Sequence, residues 1–233
     1  MNQTTSTITL RRWGNPNETA FAEPVFVTDA DILPWDLSCA SVVLRSGGLA
    51  RARALLERGA RQVLVGEAAL LDSSVVETLS REFGTEKIGL WVPAQRMATS
   101  WALDSYSNED FSCITPSLGA PAWEVLKSDG SGSGTDVLWW IGQVLERGAC
   151  SALVAVDMHD DDDLNICAGL VERFGPALWL TPLANAMTDL EDWVRFGQAR
   201  NLAIRQMPHD DPLAMRALRQ NLAAAIEAVA WAG

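Results

Sequence analysis

One word occurs twice in this chain, and that repetition limits its possible folds more than any other feature. Leu56-Glu57-Arg58-Gly59-Ala60 leads into the apolar run Val63 to Val65, and Leu145-Glu146-Arg147-Gly148-Ala149 leads into Ala152 to Val156. A helical stretch follows each run, ending Arg81-Glu82-Phe83-Gly84 in one case and Glu172-Arg173-Phe174-Gly175 in the other. Each then enters a further apolar run, Ile88 to Val92 or Ala177 to Leu180, with a tryptophan inside it (Trp91, Trp179) and a proline beyond it (Pro93, Pro182). The unit reads helix, glycine stop, strand, loop, helix, glycine stop, strand. Glycine just past a helix is the expected cap, and short, nearly continuous apolar strands fit a parallel sheet buried on both faces. Two such units favour an α/β fold of the closed (β/α)8 TIM barrel type over an open doubly wound sheet.

The rest of the chain fills in around that repeat. Strands are expected at residues 7–10, 24–27, 41–44 and 201–204, and helices at 49–58, 136–147, 190–196 and 212–231. Only about 14 residues, including Gly14, Asn15 and Pro16, separate the first two strands, which is too few for a full crossover helix. The barrel is therefore expected to be abbreviated at its N-terminus. Residues 97–135 form an insertion after the fifth strand. Residues 97–123 show no period and 128–135 read Ser-Asp-Gly-Ser-Gly-Ser-Gly-Thr, a flexible stretch. Such an insertion serves as a lid in some barrels and has no role in others.

The 233 residues suit one barrel domain spanning 1–233. A net charge of −12 argues against binding nucleic acid or an anionic membrane, and against phosphorylated ligands unless a local group reverses the field. Cys39, Cys113, Cys150 and Cys167 form no metal-ligand spacing, and Cys150 and Cys167 read as buried reduced thiols. No cofactor or metal is called for. The absence of a leader and of a membrane-length apolar run makes the cytoplasm the expected compartment. Ten tryptophans in an acidic chain suggest a surface that expects covering.

Residues 53–96 carry the words Leu-Leu-Glu-Arg-Gly-Ala, Val-Leu-Val-Gly-Glu-Ala-Ala-Leu and Arg-Glu-Phe-Gly. With Trp140 to Asp157, they resemble the histidine-biosynthesis barrels: phosphoribosyl-formimino-imidazolecarboxamide isomerase and the cyclase subunit of imidazole glycerol phosphate synthase. The likeness takes in residues 41–96 and 125–230. It implies a duplicated (β/α)8 barrel with two catalytic aspartates, after the first and fifth strands, and two glycine-rich phosphate loops. Where those aspartates are implied, this chain has Leu10-Arg11-Arg12-Trp13 and Pro93. Gly47 and Gly48 remain after the third strand and Gly66 after the fourth, but Glu67 stands beside Gly66, where a carboxylate would repel phosphate. After the seventh strand comes Thr181-Pro182-Leu183-Ala184-Asn185, and after the eighth Arg205-Gln206.

Candidate site residues follow from the barrel geometry, because barrel active sites lie at the C-terminal strand ends. Asp157 and His159 follow the sixth strand as a candidate acid–base pair. The run Asp160 to Asp163 beside them also reads as a solvated helix start. Arg45, Arg96 and Arg205 follow the third, fifth and eighth strands, as an anion-binding group or as rim salt-bridge partners. Asn185 completes the ligand-binding set. Trp91 and Trp179 read as barrel packing. Three functions stay open: an enzyme of the superfamily working on another small metabolite, a non-catalytic binding or scaffold subunit, and a barrel linked to pterin-dependent one-carbon chemistry, the last implied by the resemblance alone. An enzyme should show a mouth cavity lined by Arg45, Glu67, Asp157 and His159, and a scaffold a plugged mouth. A homodimer or hetero-complex is expected, with the region around Trp13, Phe21, Phe26 and Trp35 in the contact.

Overall fold

The computed structural model describes residues 8–97, 107–108, 111–112, 121–184, 190–204 and 212–230, with backbone alone at 107–108, 111–112, 212–215 and 227–230. In chain order the elements are β1 (Thr9–Arg12), β2 (Val25–Thr28), β3 (Ala40–Leu44), α1 (Leu49–Glu57), β4 (Gln62–Val65), α2 (Glu67–Leu71), α3 (Ser74–Phe83) and β5 (Ile88–Arg96). Then come β6 (Ser107–Asn108), β7 (Phe111–Ser112), β8 (Trp123–Leu126), β9 (Gly132–Asp136), α4 (Val137–Glu146), β10 (Ser151–Ala155), α5 (Asp161–Phe174), β11 (Leu178–Thr181), α6 (Leu190–Arg195), β12 (Asn201–Ile204) and α7 (Pro212–Ala230). Eight parallel strands run in the order β1-β12-β11-β10-β5-β4-β3-β2. A parallel bridge from Trp13 to Phe26, with the Gly14 N–H donating to the Phe26 carbonyl at 2.7 Å, brings β1 against β2. The result is a nearly closed α/β barrel, as the repeat implies. The two glycines of the repeated word occupy matching helix ends, with φ of +87° at Gly59 and +109° at Gly148.

The abbreviation at the N-terminus extends to two connections. No helix lies between β1 and β2, nor between β2 and β3. Instead, loop side chains cover the outward faces of these strands: Phe21, Leu33 and Leu37 pack in the same core as Val25 and Val27, all buried. Ion pairs fix the loops. Arg12 grips Glu18 with two 2.8 Å hydrogen bonds. Arg51 on α1 holds Asp29 at 2.6 and 3.0 Å, and Arg58 reaches the Pro34 carbonyl at 3.0 Å. The segment folds across the gap, which corrects the expected contact surface. Trp13, Phe21 and Phe26 are core residues, and only Trp35, 91% exposed, faces solvent.

Aromatic rings fill the barrel interior where aliphatic layers are usual. Trp13, Phe26 and Trp91 pack with Val43, Leu64, Leu153, Ala155 and Ala203, and Trp179 lies against this group. Trp13 meets Trp91 edge-on at 5.9 Å between centroids, and Phe26 meets Trp179 at 5.3 Å. The Trp13 indole N–H donates to Thr181 Oγ1 at 3.2 Å, so the polar edge of the buried ring is satisfied. Ala155 and Ala203 leave room for rings of this size.

Two other expectations are corrected. The Gly/Ser stretch contributes an ordered strand, because β9 pairs antiparallel with β8, which pairs antiparallel with the end of β5. Glu124 holds this strand from within: its buried carboxylate accepts the Gly134 N–H at 2.9 Å and the Gln95 side-chain amide at 3.1 Å. Cys150 is exposed at the start of β10 rather than buried, whereas Cys167 is buried, and desolvation pushes its thiol up to about 12. No helix among the described residues is long and apolar enough to cross a membrane.

Since Trp13 both bridges the seam and fills the lumen, Trp13→Ala should lower stability by about 3–5 kcal/mol and Trp13→Phe by markedly less. Urea unfolding followed by circular dichroism checks this; equal losses in the two variants would show that the ring is not what the seam needs.

Candidate functional site

A cavity of about 250 Å³ opens at the C-terminal ends of the strands, lined by Arg45, Glu67, Trp91, Pro93, Leu126, Lys127, Ser128, Gly130 and Leu183. Its floor is the aromatic plug, represented by Trp91. One wall is the turn of the β8–β9 hairpin. Glu67 opens α2, and its carboxylate is clasped by that turn: Ser128 Oγ donates to Oε2 at 2.5 Å and the Ser128 N–H to Oε1 at 3.4 Å. The Arg45 guanidinium lies 5.7 Å from the Trp91 ring centre. The cavity thus presents two cations, Arg45 and Lys127, and one carboxylate on an apolar floor.

Both backbone turns that could cradle a phosphate have N–H groups spent elsewhere. After β4, the Gly66 N–H donates to the Leu44 carbonyl at 2.9 Å and the Glu67 N–H to the Arg45 carbonyl at 3.2 Å. A Cβ on Gly66 would stand 2.8 Å from the Arg45 carbonyl oxygen and 2.9 Å from that of Leu44, so this glycine serves the close approach to β3. After β11, the Leu183 N–H donates to Asp157 Oδ1 at 3.0 Å and the Ala184 N–H to both carboxylate oxygens at 3.1–3.2 Å. Asp157 is an anion that the chain supplies to its own turn. Gly47, at φ +115°, and Gly48, capping α1, stay exposed.

Arg96 belongs to a separate cluster. It forms ion pairs with Asp160, with Asp163 at 2.7 Å and with Asp162 at 3.3 Å. Asp163 is buried rather than solvated and also accepts the Trp123 indole N–H at 2.8 Å and the His159 backbone N–H at 2.9 Å. Asp160 caps α5 by accepting the Asp163 N–H at 3.0 Å. That bond first, and Arg96 second, hold the Asp160 carboxyl below its ordinary range. Burial alone would lower the Arg96 guanidinium, but hydrogen bonds to Asp163 and Asp160 outweigh it and raise it. Arg96 is engaged here as a rim salt-bridge partner, the second of its two sequence readings.

Of the sequence-derived candidates, the structure brings together Arg45 and Glu67, with Gly66 in the turn beneath. Asp157 caps the β11 loop, and His159 lies exposed before α5; neither lines the cavity. Asn185 and Arg205 lie outside the described residues. Lys127 and Ser128 are additions that the sequence reading passed over. Their signal was present: Trp123 to Leu126 followed by Asp129-Gly130 is a hairpin pattern. At the inward-facing positions near the ends of β1 and β5, the structure has Trp13 and Pro93, the latter beside Ala155.

No family model matches the chain. Among curated proteins it is similar to the imidazole glycerol phosphate synthase subunit HisF of Prochlorococcus marinus (strain AS9601), 24% identical over 171 residues. That stretch is 71% of this chain and 59% of the relative, so the match spans well under two thirds of the relative's length. With the parallel barrel, this is a distant HisF-like relationship. It concerns the scaffold and assigns no reaction.

The Arg96 cluster gives a pH signature. A depressed carboxyl stabilises the fold above its ordinary value of 3.8 and loses that contribution as the pH falls through the folded-state value. Arg96→Met should cost about 2 kcal/mol near neutrality by leaving the buried Asp163 charge without its cation. The gap to the native protein should narrow below about pH 4. Urea midpoints at pH 7 and pH 3.5 check this; an unchanged gap would remove Asp160 from the account.

Proposed function

We propose that this chain is a divergent barrel that holds a small metabolite through a single anionic group at its mouth. It works as a binding subunit, without the paired-aspartate chemistry of the enzymes it resembles. The observation that carries this reading is the cavity lined by Arg45 and Lys127, set between two turns whose backbone donors are already committed. A guanidinium and an ammonium attract one anion in a chain whose net charge otherwise repels it. A second phosphate would meet the carboxylate of Asp157 or Glu67 and pay Coulomb repulsion at either. The cavity's size also points to a small ligand, since pockets for drug-sized molecules span roughly 300–1,000 Å³.

Catalysis of the isomerase or cyclase type needs an acid and a base on opposite sides of the substrate. Neither Trp13 nor Pro93 can move a proton. The relative's name makes that protein a subunit of a synthase, and by likeness this chain operates beside a second protein. One observation favours an enzyme instead: Glu67 is a half-buried carboxylate facing the cavity. In that reading Glu67 serves as acid or base in a different reaction, and Glu67→Gln abolishes turnover of whatever metabolite copurifies while leaving its binding intact.

Two measurements test the proposal. Histidine auxotrophs lacking the isomerase or the cyclase should not grow when this gene is supplied; growth of either would sink the non-catalytic reading. In calorimetry, ribose 5-phosphate should bind and Arg45→Ser should weaken it about tenfold, in line with a charge-assisted contact. Fructose 1,6-bisphosphate should gain nothing over the monophosphate. A bisphosphate that binds 100-fold tighter would mean that a second phosphate site exists.

A further inference from the structure

The opposite end of the barrel contains a cation that the mouth does not explain. Arg11 sits on β1 two residues before Trp13, so its side chain enters the lumen one layer nearer the N-terminal strand ends. Its guanidinium lies against two rings, 4.8 Å from the centre of Phe26 and 4.3 Å from that of Trp179. Among the described residues its one hydrogen bond is a long donation to Ser41 Oγ, at 3.4 Å. The other polar side chains at this level satisfy each other: Gln62 donates its amide to Ser151 Oγ at 2.8 Å across Gly89, where a Cβ would come within 3.0 Å of both groups. Among the described residues no carboxylate pairs with Arg11, nor with Arg61 at the start of β4.

We propose that the N-terminal end of the barrel holds a second anion site, in which the Arg11 guanidinium, supported by Arg61 at the rim, takes a small carboxylate or phosphate. A guanidinium has five N–H donors in a planar fork suited to bidentate oxyanions, and here one of the five is used among the described residues. Phe26 and Trp179, which meet each other edge-on, cover adjacent sides of the guanidinium and leave its remaining N–H groups open to a ligand. Burial pushes Arg11 down to about 10, with the Arg61 charge contributing, so the two arginines share a field that no acid among the described residues offsets. Arg12, Arg51, Arg53, Arg81 and Arg96 are matched to carboxylates, whereas Arg11 faces the lumen with none among the described residues. The layer of Trp13, Phe26, Trp91 and Trp179 stands between this site and the mouth cavity, so the two act separately.

The experiment is thermal unfolding of the full chain in acetate, in inorganic phosphate and in chloride at one ionic strength. It is run on the native protein, Arg45→Ser, Arg11→Met and Arg61→Ser. At tenfold excess over the dissociation constant, the oxyanions should raise the midpoint of the native protein by about 3 °C over chloride. Arg45→Ser, which weakens the mouth, should keep that rise. Arg11→Met should lose it, and Arg61→Ser, on the exposed rim, should need several-fold more anion for the same shift. If Arg11→Met does not fold, the Arg61→Ser titration decides the matter alone. No oxyanion-specific rise in the native protein, an equal rise in Arg11→Met, or an unchanged titration in Arg61→Ser overturns the site. Loss of the rise in Arg45→Ser would assign the anion to the mouth and overturn it as well.

Discussion

A barrel of eight parallel strands must pair its first strand with its second and fill the space inside, and here both tasks fall on Trp13. Its backbone bridges to Phe26 across the seam, and its ring packs against Trp91 and Phe26 in the lumen. Closed barrels need no edge protection only if the seam holds. This seam holds with few backbone contacts because the ring on the same residue is enclosed and its N–H is bonded to Thr181. With the wall secured in this way, the outer layer is relieved of part of its task. The chain omits a helix on either side of β2 and covers the strand with Phe21, Leu33 and Leu37, tied down by arginine–carboxylate pairs.

That plug also determines what the mouth can be. Aromatic rings raise the floor, so the cavity is shallow, and its remaining depth comes from the β8–β9 hairpin standing beside it. The hairpin is built on an extension of β5 that runs through Pro93 to Arg96. Proline is tolerated there because the strand is leaving the barrel ladder, where a missing N–H costs least. Pro93, which carries no proton-transfer group, therefore sits where the chain turns from barrel wall to cavity wall. Arg96, at the end of the extension, docks on the α5 N-terminus through Asp160 and Asp163 and fixes the hairpin to the barrel.

Much of the scaffold was legible in the sequence. The repeated Leu-Glu-Arg-Gly-Ala word located four elements at once, because a helix end, a left-handed glycine and a buried strand leave strong local marks. What stayed hidden depended on partners distant in sequence. β1 lies about two residues later than its apolar pattern suggested, since Arg11 reads as a loop residue until Phe26 and Trp179 are seen around it. The Gly/Ser stretch looked unstructured because β9 has no apolar alternation of its own and is ordered by the buried Glu124 and by β8. The site was half legible. Arg45 and Glu67 were visible as residues following strands, whereas Lys127 and Ser128 belong to an insertion whose placement follows only from the hairpin.

Asp157 shows how one side chain can fill an anion site that the fold itself builds. A turn with two N–H groups aimed at a common point is an anion site by geometry, whatever residue fills it. A carboxylate fixed just past the end of neighbouring β10 reaches that point at no cost in translational freedom, while a ligand phosphate must give up translation and rotation to arrive there. The internal anion therefore competes at an effective concentration that no free metabolite reaches, and it adds repulsion against a second charge at the same place. With those donors committed, the groups left at the mouth to attract an anion are the side-chain cations Arg45 and Lys127. The attraction of such cations is less directional than that of a turn, so on the proposed reading Arg45 and Lys127 would select a ligand by charge and size more than by the tetrahedral shape of a phosphate.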